Sequence, residues 1–274
     1  MRYYNWLSNH VADLMLGPLG FESPWPGLIA ASILTTAVLL VIFKKFSNQE
    51  RIRKKKAVAM ARVMELLLFQ HDLSVSLTAC GRILVAQVLY LKELLLPFGI
   101  AAVACTLVLI QLACWLEFRP FRPGEPVLLE VRFRGEVPAA GQLVVSSTSD
   151  IVHVETGVLR IPTTPEADWR LRAVAPGAGW VEVRAGRDVV RKSVTVGQRL
   201  HKVSRVRSQT GFWDALLHPV EEPIDPSAAI RRVEIHYPKR QIYVGSTEVD
   251  WLVAFFVLTV LFGLVLKRPM NVEF

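Results

Sequence analysis

The chain has 274 residues, of which 52% are hydrophobic, with a mean hydropathy of +0.35 and a net charge of +8 from 32 basic and 24 acidic side chains. That apolar content exceeds that of an ordinary water-soluble domain, and 20% charged residues exceed what an all-membrane bundle carries, so membrane spans plus a sizeable water-exposed part are expected. The cysteines, Cys80, Cys105 and Cys114, all precede residue 115, which excludes a disulfide framework or thiolate metal site from the polar C-terminal half.

Residues 1–27 form an external N-terminal segment in which Tyr3, Tyr4, Trp6, Leu7, Val11, Leu14 and Met15 recur near helical spacing, as in a short helix lying in the membrane interface. A cleaved signal peptide is not expected, because the first apolar run begins late and has its lysines on the wrong side. That run, 28–43, is uncharged and predicts a first transmembrane helix. Trp25 and Pro26 precede it, and Lys44 and Lys45 follow it. Sixteen residues reach about 24 Å, short of a ~30 Å hydrocarbon core, which suggests locally thinned lipid.

Residues 44–97 predict a cytoplasmic basic helical hairpin. Asn48 is placed to cap its first helix, Asp72 and Ser74 to break it, and Pro97 to open the next span. It begins with Arg51, Arg53, Lys54, Lys55 and Lys56, candidate contacts for anionic lipid or a client protein, and becomes apolar along its length. A coiled coil and a pair of surface-lying helices both fit this pattern. The second span is 98–116, with Trp115 near its end; the third is 251–266, followed by Lys267 and Arg268. The lysine and arginine excess after the first and third spans orients the chain with its N-terminus outside and its C-terminal tail, 267–274, in the cytoplasm. The 19 basic and 17 acidic residues of 117–250 dissent mildly, but long segments translocate largely regardless of charge.

From residue 117 the pattern changes to period two. Val127, Leu129, Val131 and Phe133 alternate with Leu128, Glu130, Arg132 and Arg134. Further strands are expected at 142–147, 151–155, 157–161, 168–174, 179–184 and 189–196, separated by Gly- and Pro-rich turns. Seven short strands predict an external immunoglobulin-like β-sandwich with its core at 124–197, within a domain spanning 117–250. Its interior should include Val127, Leu129, Val131, Leu171, Val181, Val183 and Val194. Residues 198–229 read as an irregular return segment, and 230–237 as one more strand. The fold class is thus an α+β membrane protein: three transmembrane helices, a cytoplasmic helical hairpin and an external sandwich.

Catalytic chemistry is not indicated. His10, His71, His153, His201, His218 and His236 stand at no metal-ligand spacing, and no phosphate loop, dinucleotide fingerprint or G-x-S-x-G is present. The run Ser146–Ser149 reads as a turn. Neither an enzyme nor a cofactor is expected, and the basic run beside a span reads first as a topological signal and second as a contact for anionic lipid, rather than as a nucleic-acid patch. No charge falls within a span, which argues against a proton-coupled pump. Mild polarity remains: Ser32, Thr35 and Thr36 share one face of the first span, Thr106 and Gln111 lie in the second, and Thr259 lies in the third near Gly263. These residues form either a helix-packing seam or a weakly polar groove.

The residues 28–43, 44–96, 98–116 and 251–266 together resemble the YidC-type insertase superfamily. The likeness is nearest to its minimal three-span members, the small archaeal insertase-like proteins and the third subunit of the endoplasmic-reticulum membrane protein complex. It covers about half of the chain and rests on topology and hairpin placement. The groove arginine of bacterial insertases is absent, and about 130 residues of β structure separate the second and third spans. The resemblance implies a membrane chaperone in the cell (inner) membrane that assists insertion or assembly of membrane proteins. Ser32, Thr35, Thr36, Thr106, Gln111 and Thr259 would line its groove. The alternative is a membrane-anchored structural or interaction subunit, possible in a hetero-oligomer, whose external domain binds a protein partner.

Overall fold

The computed structural model describes residues 10, 13, 23–47, 49–68, 73–161, 164–209, 211–270 and 272. Of the expected N-terminal helix, only His10 and Asp13 fall among them, and both are helical; Asn48 and Asp72 lie outside. The chain divides into two compact units. One comprises Met1–Leu28 and Leu109–Trp251, the other Ile29–Val108 and Leu252–Phe274.

Three helices are long and apolar enough to cross a membrane: α1 (Trp25–Phe46), the stretch Gly81–Leu116 of α3 (Leu73–Leu116), and α5 (Trp251–Met270). Both α1 and α5 outrun their uncharged cores. At 1.5 Å per residue they reach about 33 Å and about 30 Å, so no thinning of the lipid is needed. The extra length comes from Trp25–Gly27 and Lys44–Phe46 in α1, and from Lys267–Met270 in α5. Lysine and arginine can stay helical there, their stems along the lipid and their charges in the headgroups.

The expected boundary at Pro97 does not exist. Helix α3 runs unbroken for 44 residues, about 66 Å, with Pro97 inside it. A proline removes one helical hydrogen bond and crowds the preceding turn, at a cost of about 3 kcal/mol. The flanking LKELLL segment, made of strong helix formers, carries the helix through. The hairpin is therefore α2 (Gln49–Leu68) followed by the first part of α3. Lys55 in α2 pairs with Glu93 in α3 at 2.6 Å, and Ile52 and Leu94 are buried in one cluster with Leu40, Phe43 and Ala101. Phe43 meets Phe98 edge to face, with ring centroids 5.0 Å apart.

Helix α1 is turned inside out relative to a soluble helix. Ala31, Ser32, Thr35, Thr36 and Leu40 are buried, whereas Ile33, Leu34, Val38 and Val41 are exposed. Phe256, Val257, Val260, Leu261, Leu264 and Val265 of α5 are exposed as well. Such faces suit lipid, which has no more affinity for another helix's leucines than for its own chains.

The β region holds two antiparallel sheets around one apolar core. The larger has the order β3–β5–β1–β9–β8, with β4 also on β5; the smaller is β2–β6–β7. In chain order the strands are β1 (Pro126–Phe133), β2 (Leu143–Ser147), β3 (Val152–Val154), β4 (Leu159–Ile161), β5 (Glu166–Ala173), β6 (Gly177–Ala185), β7 (Asp188–Val196), β8 (Val206–Ser208) and β9 (Ile230–Ile235). All seven expected strands are present, and all seven expected core residues are fully buried. Strand β6 begins at Gly177, two residues before the expected 179, and so shortens the turn that precedes it. Gly186, at φ +61°, opens the two-residue turn joining β6 to β7, a conformation that favours glycine.

The core does not end at residue 197. Strand β1 pairs with β5 on one side and β9 on the other. Val203, Ile224, Ala228, Ile230, Val233, Ile235 and Tyr237 all join the common core. Without β9, the central strand β1 would present a bare edge, so the return segment is part of the fold. A short helix, α4 (Phe212–Leu217), and a hairpin of β10 (Ile242–Val244) and β11 (Thr247–Val249) complete the unit.

Candidate functional site

The hydroxyl face of α1 is closed. Ser32 is 0% exposed, and Thr35 and Thr36 are also buried. Thr36 Oγ1 donates to the Ser32 carbonyl at 2.7 Å and lies 3.2 Å from the Thr259 carbonyl of α5. A methyl added at Gly263 would meet Thr36 Cγ2 at 4.0 Å, ordinary contact. Ser32 and Thr36 on one helix, with Thr259 and Gly263 on the other, form a small-residue seam at i and i+4 spacing, which lets two backbones approach closely. Thr259 Oγ1 is buried there without a hydrogen-bond partner. Thr106 is exposed and bonds back to Ala102. Gln111 is buried and belongs to the β-bearing unit.

The basic start of α2 is mostly a solvated face. Arg51, Arg53, Lys54 and Lys56 are exposed, and Lys54 pairs with Glu50 one turn earlier. Lys55 instead points to α3 and holds Glu93, which makes it a strut of the hairpin.

Two clusters in the β region were not anticipated. One lies on the outer face of the smaller sheet. Cross-strand register places Val144, Arg184 and Val189 in one row, and Ser146, Glu182 and Arg191 in the next. Glu182 accepts from Arg184 Nε at 2.8 Å and Arg191 Nε at 2.7 Å, and the Arg191 guanidinium lies 5.0 Å from the centre of the Trp180 ring. The two arginines hold the Glu182 carboxyl below the usual carboxylate range, Arg191 foremost. Trp180 is 38% exposed, and Val144 and Val189 are about half exposed beside it. Aromatic, arginine and aliphatic groups held rigidly by their neighbours are the composition in which binding energy concentrates at protein interfaces. The period-two phase of β6 and β7 already put Trp180 and Arg191 on the outer face, and that signal was available.

The other cluster is interior. Lys192 is 0% exposed and donates to Ser204 O at 2.6 Å, Ser204 Oγ at 2.7 Å and Glu221 Oε2 at 2.9 Å. Glu221 Oε1 also accepts from the Ser193 amide at 2.7 Å and from its hydroxyl. All three ammonium protons are thereby satisfied. Burial pushes the Lys192 amine down and Glu221 opposes the shift. A lysine beside a serine hydroxyl has the outline of a hydrolytic dyad, but Ser204 is itself buried and the Lys192 amine is fully committed to Ser204 and Glu221, so the arrangement is a structural tie.

No family model matches the chain, and no curated protein does. Two solved structures are similar in part. The S-layer protein SbsC, domains 4 and 5, matches at 17% identity over 29% of this chain and 47% of that one, with a TM-score of 0.23. Domains 5–6 of the same S-layer protein match at 15% identity over 34% of this chain and 45% of that one, with a TM-score of 0.25. The chain thus spans about half the length of the structures it matches, and likenesses this slight assign neither fold nor function.

Proposed function

We propose that this protein is a membrane-anchored interaction subunit. Its β region, an immunoglobulin-like sandwich held outside the cell membrane, binds a protein partner through the outer face of the smaller sheet. The N-terminus is external and the tail after Lys267 and Arg268 is cytoplasmic. The observation that carries the reading is the Trp180–Arg191–Glu182–Arg184 cluster with its exposed valines. Burial of Ser32, Thr35 and Thr36 supports it too, because an insertase-type groove requires those groups to meet a client.

Photo-crosslinking in intact cells tests the choice. A photoreactive residue at Val189 should give one discrete adduct that persists after protein synthesis is stopped. A photoreactive residue at Ile33, on the exposed face of α1, should give no adduct to newly made chains. Adducts from Ile33 that vanish with translation, and none from Val189, would reverse the assignment in favour of an insertase-like chaperone.

A further inference from the structure

The exit from α3 and the approach to β10 are zipped together within the β-bearing unit. Arg240 N donates to Glu117 O at 2.9 Å, Arg119 N donates to Pro238 O at 3.0 Å, and Phe118 bridges Lys239 between them. This short ladder starts directly after Leu116, the last residue of an apolar span. Aromatic groups also stand at the starts of the other two apolar helices: Trp25, at the start of α1, donates its indole N–H to the Tyr243 carbonyl of β10 at 3.2 Å, and Trp251 opens α5. Tryptophan and tyrosine at span ends sit at lipid headgroups.

The charges on this ladder do not balance. Arg119, Arg122, Lys239 and Arg240 face only Glu117 and Glu125 in the segments 117–125 and 238–240. Glu125 is spent: it takes both Arg119 nitrogens, at 2.8 and 2.9 Å, and the Arg122 amide at 2.9 Å. Arg240 forms no ion pair among the described residues. Its Nη2 lies 3.4 Å from Phe118 O, and its Nε is buried without a hydrogen-bond partner. Burial, and then Arg119 nearby, lower its pKa to about 10. A half-buried guanidinium without a counter-charge is costly unless an anion supplies one. At the end of a span, the anion always at hand is a lipid phosphate.

We propose that Arg240 and Lys239 hold the headgroup of an anionic phospholipid in the leaflet on the β-domain side. The site rests on the three helices crossing the membrane and is independent of which partner the β region binds and of which side it faces. The headgroup supplies the charge that Glu125, committed to Arg119, does not.

The test uses the full chain in nanodiscs of phosphatidylcholine with phosphatidylglycerol, with retained lipid counted by native mass spectrometry. Wild type should keep phosphatidylglycerol in preference to phosphatidylcholine. Arg240→Gln should lower the lipid-bound fraction about fivefold, as should Lys239→Gln, an exposed position whose change leaves the packing intact. Arg240→Lys, which keeps the charge, should retain the lipid. Unchanged retention in either glutamine variant overturns the proposal, as does loss in Arg240→Lys equal to that in Arg240→Gln. Inorganic phosphate added to lipid-free protein in detergent should give no adduct. A phosphate adduct lost in Arg240→Gln would identify a soluble-anion site and overturn the lipid assignment. Failure of the β-face crosslinks described above would leave all of these outcomes unaffected.

Discussion

Lys192 and Glu221 stand 2.9 Å apart, the one on β7 and the other in the return segment before β9. Glu221 also takes the Ser193 amide, and the Arg207 guanidinium reaches the Arg191 carbonyl. Farther along, the Thr195 amide meets the Tyr237 hydroxyl and the Thr195 carbonyl meets the Phe121 amide. The outer edge of β7 is thus closed by side chains and linker, which removes a site for edge-to-edge association.

Removing one member of a buried pair strands the other. Glu221→Gln should therefore destabilise the β region by about 3 kcal/mol, while the double change Lys192→Met with Glu221→Gln should recover most of that loss. Thermal unfolding of the full chain in detergent, followed by tryptophan fluorescence, measures both. A double variant less stable than Glu221→Gln alone would show that the tie is not a charge pair.

Tyr237 is the second tie. Its ring stacks on Phe121 at 4.7 Å and its hydroxyl accepts the Thr195 amide at 3.1 Å. Tyr237→Phe keeps the stack and leaves the partly buried Thr195 amide without that acceptor, which should cost about 1 kcal/mol. Hydrogen exchange at Thr195 should accelerate together with that loss; unchanged exchange would mean that another acceptor serves the amide.

Acid should weaken the β region through His218. Burial first, then Arg232, lower its pKa below 6.5, so the unfolded chain binds the proton more tightly than the folded one. Stability is full above about 6.5 and falls as the pH drops from there through the lowered folded value. Between pH 7.5 and 5.5 the unfolding temperature of His218→Gln should fall less than that of wild type. Parallel curves would remove His218 from the account.

Period two made the strands legible, since one alternating face must be apolar wherever a sheet covers a core. The same phase puts Lys192 in line with Val190 and Val194 on the inner side, a conflict from which a buried charge could have been read but was not. Strands β8, β10 and β11 have three residues each and, unlike the equally short β3 and β4, do not follow in a run of regularly spaced strands, so nothing around them set a phase. The β10–β11 hairpin still carried a turn signal, Gly245-Ser246 between alternating residues. Pro97 misled because a proline is a helix boundary only where nothing else holds the flanking turns. The stripe of Ser32, Thr35 and Thr36 was visible, but periodicity gives the face and not what covers it.

What covers that stripe can be tested directly. If it is the seam between α1 and α5, then Thr36→Val removes a hydroxyl hydrogen bond and keeps the shape, at a cost of about 0.6 kcal/mol. Gly263→Leu places a branched side chain against Thr36 Cγ2, where even a single methyl would already be in contact, and should separate the helices. The expected result in detergent is a near-normal unfolding temperature for Thr36→Val and a clear fall for Gly263→Leu. A groove open to clients predicts the reverse order of consequences. Thr36→Leu with Gln111→Leu would then leave the fold and abundance intact while impairing insertion of a short-tailed reporter in depleted cells. Under the seam, the same double change lowers abundance and leaves insertion per molecule unchanged.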